Sequence, residues 1–283
     1  MNETSIADLI EERIDQGGIE LPVFHRIALK IQSHLSQDDY NTKDIAKLIH
    51  QDQSLATNVL KTANSSFYAG LTPAKTIHDA VIRLGAKSIL NIVMVVTQKQ
   101  TYDVQKKRYC EWTSPLWQHA LGVAIGAKWL AVRLGWGKLA EECFLGGLLH
   151  DVGKLLIIKI IEDIESSSNI YISDTVIHDV IDIMHCEKGG RLMQYFNMPD
   201  TYFQIVSDHH NDVIDNNNVS LNLINLSNLA CIKSGIGLKC DPGIMLSTTK
   251  EASNLMVSDM LLAELQVQLE LKKSKSNKIF NIQ

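Results

Sequence analysis

The strongest constraint on the fold is a helical spacing of apolar residues that recurs along most of the chain. In the first segment, Ile6, Leu9, Ile10 and Ile14 fall three and four positions apart, and this spacing places them on one face of an α-helix. Glycine and proline, which interrupt helices, number only 16 and 5 among 283 residues. Strand-like alternation is confined to Leu265–Leu271, which we assign to a helix because it adjoins helices and has no strand partner. The sequence therefore predicts an all-α fold.

A polar segment interrupts the helical pattern at residues 98–112. We place a domain boundary there, with an N-terminal helical subdomain at 1–108 and a second helical domain at 109–283. Just after this segment, Ser114 is followed by Pro115. A capping side chain followed by proline at the first helical position is a common helix start, so a helix is predicted to begin there.

Charge and cysteine usage narrow the class of protein. The formal net charge is −5 and the isoelectric point is near 6.0, which lacks the basic footprint of a nucleic-acid-binding domain. Five cysteines without a Cys-x-x-Cys pair fit reduced thiols in a reducing compartment. The acidic N-terminus does not resemble a secretory signal, and no apolar run approaches the ~18–20 residues of a membrane span. We expect a cytoplasmic protein that binds neither nucleic acid nor membranes.

The C-terminal two thirds carries an ordered set of metal-ligand side chains. Its members are His119, His150, Asp151, His185, His209 and His210. Wide spacing places most of them on different helices, as in the metal sites of helical bundles, and imidazole with carboxylate suits divalent Zn, Fe, Mn or Ni. The His150-Asp151 pair directly follows the apolar run Leu145–Leu149. Buried polar groups need partners, so we predict a divalent metal site.

The sequence also indicates which other residues belong to the metal site and which do not. Lys154 follows Asp151 by three positions on the same helix face, where it is placed to contact an anion bound to the metal. Cys186 is predicted as a core residue, because it points about 100° away from its neighbour His185 on a helix. Histidines among polar neighbours are predicted on the surface or in local hydrogen bonds, namely His25, His34, His50, His78 and His178.

Several strings resemble known families. GLLHDVGKLLI, which contains His150, resembles the HD superfamily of metal-dependent phosphohydrolases. LPVFHRIALKI, IAKLIHQDQSLATNVLKTANSSFYAG and IHDAVIRLGAKSILNIV look like the HDOD domain, the HD-related output domain of bacterial signalling proteins. HCEKGG, then YFNMP and the segment ending in His209-His210, continue that pattern. The resemblance begins near residue 18 and covers residues 18–215.

The resemblance implies a helical N-terminal subdomain packed on an HD-like helical bundle. It places the six residues of the ordered set at ligand positions and gives Asp151 and Lys154 catalytic roles if the protein is active. HD enzymes use a later Asp as the last ligand, and Asn228 stands at that position. The segment after His210 lacks the Gly-Tyr-Pro of the cyclic-di-GMP phosphodiesterase branch. HDOD proteins are regarded as signalling modules that have lost part of the ligand set.

Charge argues for a single ion. Five neutral imidazoles and one carboxylate carry −1, so two divalent ions would leave a buried charge of +3, which is costly without a compensating anion. We therefore expect one divalent ion, and its identity among Fe, Mn, Zn and Ni stays open. An Asn228 amide oxygen is a weaker ligand than a carboxylate, which counts against catalysis.

Three functions remain open at this stage. The leading prediction is a cytoplasmic bacterial signal-transduction output protein of the HDOD type, which binds a partner protein or a small phosphorylated ligand. The alternative is a metal-dependent phosphohydrolase with the same ligands. A third possibility is a purely structural helical scaffold, which an empty, collapsed pocket would favour.

Overall fold

A computed structural model describes most of the chain and confirms the all-α prediction. The described residues are 5–17, 23–37, 39–68, 70, 72–104, 106–168, 170–211 and 215–273. Every regular element among them is an α-helix or a short 3-10 turn. The expected start of the family pattern near residue 18 lies outside the described residues.

The helices follow one another with short connections. The first six are α1 (Ile6–Asp15), α2 (Arg26–Leu35), α3 (Thr42–Ile49), α4 (Gln53–Ala63), α5 (Ile77–Leu84) and α6 (Ala86–Tyr102). The others are α7 (Lys107–Arg133), α8 (Ala140–Leu149), α9 (Val152–Ser168), α10 (Asp174–Tyr195), α11 (Asp200–Asp208), α12 (Val219–Lys233), α13 (Lys250–Asn254) and α14 (Asp259–Lys273). Side chains cap several N-termini; at α1, Ser5 and Asp8 form a reciprocal capping box.

The predicted start of α7 at Ser114-Pro115 is wrong. The helix begins at Lys107, and Pro115 lies inside it. A proline inside a helix loses one backbone hydrogen bond, but contacts with α9 hold the preceding turns. Tyr109 is 1% exposed, and its hydroxyl donates to a Glu165 carboxylate oxygen at 2.6 Å. Tertiary packing therefore overrides the local signal.

Residues 174–195 form a single long helix, α10. No proline interrupts this stretch, and its glycines, Gly189 and Gly190, are buried against other helices. A Cβ at Gly189 would lie 2.5 Å from a methyl group of Val206, so the missing side chain permits close packing on α11. Helix α10 consequently runs unbroken past His185.

Helix α7 is the centre of the C-terminal part and packs against α8, α12 and α14, while α9 packs along α10. Helix α1 lies on α9 and is tied to α10 by ion pairs of Glu11 with Lys188 and Arg191. One buried apolar cluster includes residues from α1 through α11. The division of the chain at 108/109 stays a prediction.

Two glycines bring the helices of the site close together. A Cβ at Gly147 in α8 would lie 2.8 Å from the Cα of Ala124 in α7. A Cβ at Gly153 in α9 would overlap the carbonyl oxygen of His185 in α10. The junction of α8 and α9 is thereby held between α7 and α10, and this junction carries His150 and Asp151.

Candidate metal centre

The structure gathers the six predicted ligand residues in one place. His119 lies within α7 and His185 within α10, and the His209-His210 pair ends α11. The His150-Asp151 pair occupies the turn between α8 and α9. All six are buried except His210. Residues distant in sequence therefore form a polar cluster inside an apolar bundle.

Four imidazoles are fixed in the same tautomer by backbone carbonyls. The Nδ1 atoms of His119, His150, His185 and His209 lie 2.9, 2.8, 2.7 and 3.0 Å from the carbonyl oxygens of Ile236, Gly147, Ile181 and Val206 respectively. A carbonyl oxygen only accepts, so each Nδ1 carries the hydrogen and each Nε2 keeps a lone pair. This arrangement is the usual outer support of a metal-binding histidine.

The Asp151 carboxylate lies at the centre of these lone pairs. Its Oδ2 atom is 3.3 Å from the Nε2 of His150 and 3.7 Å from that of His119. Its Oδ1 atom is 3.3 Å from the Nε2 of His209 and 3.6 Å from that of His185. The site therefore has two sides, which we call the Oδ1 side (Asp151, His185, His209 and His210) and the Oδ2 side (Asp151, His119 and His150).

The cluster is rich in acceptors and poor in donors. His150 Nε2, His209 Nε2 and Asp151 Oδ1 are buried without a hydrogen-bond partner in the described part of the chain. Burial lowers the pKa of His119 and of His185 to about 4, despite the attraction of Asp151. Burial alone would raise the pKa of Asp151, but His150 and Lys154 hold it well below its usual range. The low pKa values of His119 and His185 thus place two neutral imidazoles beside an ionised carboxylate.

The donor set fits a divalent transition metal. Two ligand atoms bound to one Zn²⁺ at about 2.1 Å lie roughly 3 to 3.5 Å apart. The distances from Asp151 to the four Nε2 atoms, 3.3 to 3.7 Å, are close to that range. Unpaired buried acceptors are costly, and a cation would satisfy them together. The geometry therefore suits the metal site expected from the sequence.

A small cavity of about 40 Å³ opens beside the cluster. Lys154 and Asn228 both line it, together with His119, Asp151 and His210. The Lys154 ammonium group donates to Asp151 Oδ2 at 2.8 Å. Asn228 is 6% exposed and presents an uncharged amide where the family pattern expects a carboxylate. Both residues singled out from the sequence therefore border the candidate site.

The cavity has an outer wall whose residues were not among the predicted site residues. His178, predicted on the surface or in local hydrogen bonds, is exposed and also lines the cavity, with its ring centroid 4.5 Å from that of Trp112. Asp182 and Lys239 also line it and form an ion pair at 3.0 Å. His178, Asp182 and His185 fall at i, i+4 and i+7 on α10, so helical periodicity could have revealed the first two.

The prediction that Cys186 belongs to the core is not supported. The residue is only partly buried, and its Sγ atom lies 3.4 Å from His185 Nε2 and 3.9 Å from His209 Nδ1. Side chains that leave a helix about 100° apart can still meet when one is long. The His185 ring reaches back to the Ile181 carbonyl, which leaves its Nε2 close to the thiol.

Comparisons with known proteins agree with this fold. The HDOD domain family matches residues 21–212, and the chain belongs to that family. An uncharacterised protein of Treponema pallidum (strain Nichols) is 30% identical over 221 residues, which make up 74% of this chain and 40% of that protein. The chain thus spans less than half the length of this curated relative.

Two solved structures share the fold. One is an HDOD domain protein of unknown function from Geobacter sulfurreducens, with a TM-score of 0.72, 22% identity and coverage of 96% of this chain and 97% of that one. The other, from Shewanella amazonensis SB2B, is named provisionally as a metal-dependent phosphohydrolase, with a TM-score of 0.66, 17% identity and coverage of 93% and 98%. Among the helices of the described residues, none has the length and apolar character to cross a bilayer.

Proposed function

We propose that this protein is a bacterial, cytoplasmic signal-transduction output protein whose His/Asp cluster holds one divalent ion and binds a phosphorylated ligand. The supporting observation is the cage of lone pairs on four Nε2 atoms around the Asp151 carboxylate. Such a cage is unfavourable without a cation. Membership of the HDOD family supports the signalling role, and five unpaired cysteines suit a reducing compartment. A partner protein remains the second kind of ligand for this role.

The two sides of Asp151 differ in their capacity for the ion. On the Oδ2 side, the Lys154 ammonium group already neutralises the carboxylate oxygen at 2.8 Å. On the Oδ1 side, the carboxylate oxygen and His209 Nε2 have no partner among the described residues. Because like charges repel strongly in a buried site, a single ion belongs on the Oδ1 side.

The residues of the pocket have separate tasks in this proposal. His185, His209, His210 and Asp151 would hold the ion, and the carbonyls behind the imidazoles keep their lone pairs directed inward. A bound divalent ion supplies a Lewis acid for a phosphoryl oxygen and lowers the pKa of a coordinated water. Lys154 lines the cavity and provides a positive charge for the same anion.

A metal-dependent phosphohydrolase is the alternative function, with Asp151 and Lys154 as the catalytic residues. The nearly complete ligand set favours it, and the Shewanella protein of the same fold carries that description in its name. The Asn228 amide counts against it, because it supplies neither negative charge nor a basic group to the cavity wall. Release of phosphate from phenyl phosphate at a rate above that of metal-free protein would favour the enzyme.

The test of the proposal is the metal content of untagged protein purified without chelator. We expect up to one equivalent of a divalent ion in the parent protein. Asp151→Asn should remove it, because the carboxylate is shared by both sides of the site. The matched control is Asp44→Asn, which alters an exposed carboxylate paired with Lys47 and should leave the metal content unchanged. Metal-free parent protein, or full metal in Asp151→Asn, would contradict the proposal.

A further inference from the structure

The outer wall of the cavity carries a second ion pair that the metal cluster does not use. Lys239, in the segment after α12, donates to both carboxylate oxygens of Asp182 on α10 at 3.0 Å. Both residues line the same cavity as Lys154 and Asp151. Their side chains are 52% and 46% exposed, so this pair lies toward the solvent while the Lys154–Asp151 pair lies inside.

The segment that carries Lys239 is fixed against the metal cluster. The Ile236 carbonyl accepts the hydrogen bond from His119 Nδ1. Gly237 has φ of +120°, and a Cβ there would lie 2.9 Å from the Cβ of His119, so only glycine fits. Leu238 and Lys239 then form part of the cavity wall. The outer lysine is therefore held in a defined position relative to the cluster.

Formal charge around the cavity selects the kind of anion. Its wall contains two lysines, Lys154 and Lys239, and two aspartates, Asp151 and Asp182, so these four charges sum to zero. One divalent ion raises the sum to +2. A dianionic phosphate monoester restores neutrality, whereas a monoanionic phosphodiester leaves +1.

From this arrangement we infer that Lys239 is the outer contact for a phosphate monoester dianion, which displaces the Asp182 carboxylate as the partner of Lys239. The inference rests on the proposed function of the same pocket and adds its ligand class. Asp182 holds Lys239 in place without a ligand and gives way to the more highly charged phosphate. Lys154 contacts the anion from the inside and Lys239 from the outside.

Calorimetric titration of metal-containing protein at pH 8 tests the inference, since a monoester is a dianion there. The probes are phenyl phosphate and the small diester dimethyl phosphate. We expect phenyl phosphate to bind at least about tenfold more tightly. Lys239→Gln should weaken its binding about tenfold, and Asp182→Asn should tighten it about threefold by freeing the lysine.

The control is Lys47→Gln, which removes a lysine from an exposed Lys–Asp pair on α3 and should leave phosphate binding unchanged. Thermal melts establish that each variant is folded. If metal-containing parent protein binds phenyl phosphate and Lys239→Gln binds it equally well, the role of Lys239 is refuted while the proposed function stands. Equal affinity for the two probes refutes the monoester preference alone. If the purified parent protein contains no metal and binds no phenyl phosphate, both proposals are refuted.

Discussion

The two sides of Asp151 have almost the same histidine chemistry but different counter-charges. Each side presents buried Nε2 lone pairs to one carboxylate oxygen at 3.3 to 3.7 Å. On the Oδ2 side, that oxygen is paired with Lys154, whereas the Oδ1 oxygen has no hydrogen-bond partner in the described residues. In the proposed function, ligand type alone therefore does not select the side that binds the cation. The charge already present at each oxygen is expected to favour one of two similar sets of ligands.

Removing one histidine from each side gives the largest expected contrast. His209→Ala should lower the affinity for Zn²⁺ more than about 100-fold, because loss of an outer support alone costs 10- to 100-fold. His119→Ala should lower it less than about tenfold. Both residues are buried and bonded to a carbonyl, so each serves as the control for the other. Competition with a coloured chelator measures both affinities, and the reverse order would place the ion on the Oδ2 side.

Removing the lysine should make the two sides alike. In Lys154→Met the Oδ2 oxygen loses its positive partner while the side-chain volume is nearly kept. At saturating Mn²⁺ the stoichiometry should rise above one equivalent, because loss of the Lys154 charge lowers the repulsion that opposes a second ion. Equilibrium dialysis with elemental analysis measures it, with Lys47→Met as the control. A stoichiometry that stays at one would show that Lys154 is not what limits the Oδ2 side.

Adding a carboxylate to the cavity wall should have a smaller effect. Asn228→Asp places a negative charge in the cavity wall. Without metal, the buried carboxylate should lower the free energy of unfolding by about 1 to 3 kcal/mol. With added Mn²⁺ or Zn²⁺, the variant should gain more in melting temperature than the parent does. Equal gains in the two proteins would mean that Asn228 does not act on the metal site.

The stability of protein freed of metal by a chelator should depend on pH, because His119 and His185 are neutral in the folded state. Burial lowers the pKa of His119 and His185 to about 4, below the ~6.5 of an unfolded chain. The unfolded state therefore binds more protons between these values, so stability is complete above ~6.5 and decreases as the pH falls toward 4. The melting temperature should be lower at pH 5 than at pH 7.5. His185→Gln should show a weaker dependence, and an unchanged slope would exclude His185 as its source.

Sequence reasoning predicted the inner cluster better than its surroundings. His150 and Asp151 stand out because they end an apolar helix, and the other ligands lie in recognisable strings. His178 is exposed, as its polar sequence neighbours predict, but its place in the cavity wall was not predicted, although its spacing from His185 places both on one face of α10. Lys239 gives no such signal, because its position depends on how the segment after α12 folds against His119.

The helix boundaries show the same difference between features set by neighbouring residues and features set by the folded chain. Ser5, Thr76 and Gly85 lie at the ends of α1 and α5, and capping of this kind depends on neighbouring residues alone. Pro115 favours a helix start by the same local logic, yet α7 continues through it. The contact between Tyr109 and Glu165 joins residues 56 positions apart, and no local pattern contains it. Long-range packing therefore accounts for what the sequence left unresolved.

The central claim is that one ion binds on the Oδ1 side of Asp151. Anomalous diffraction at the absorption edge of the metal found by elemental analysis tests it most directly, in crystals of untagged protein prepared without chelator. We expect a single anomalous peak within about 2.0 to 2.2 Å of Asp151 Oδ1 and of the Nε2 atoms of His185 and His209. Lys154 should still be bonded to Asp151 Oδ2. A single peak between His119 and His150, or two peaks of equal height, would contradict it.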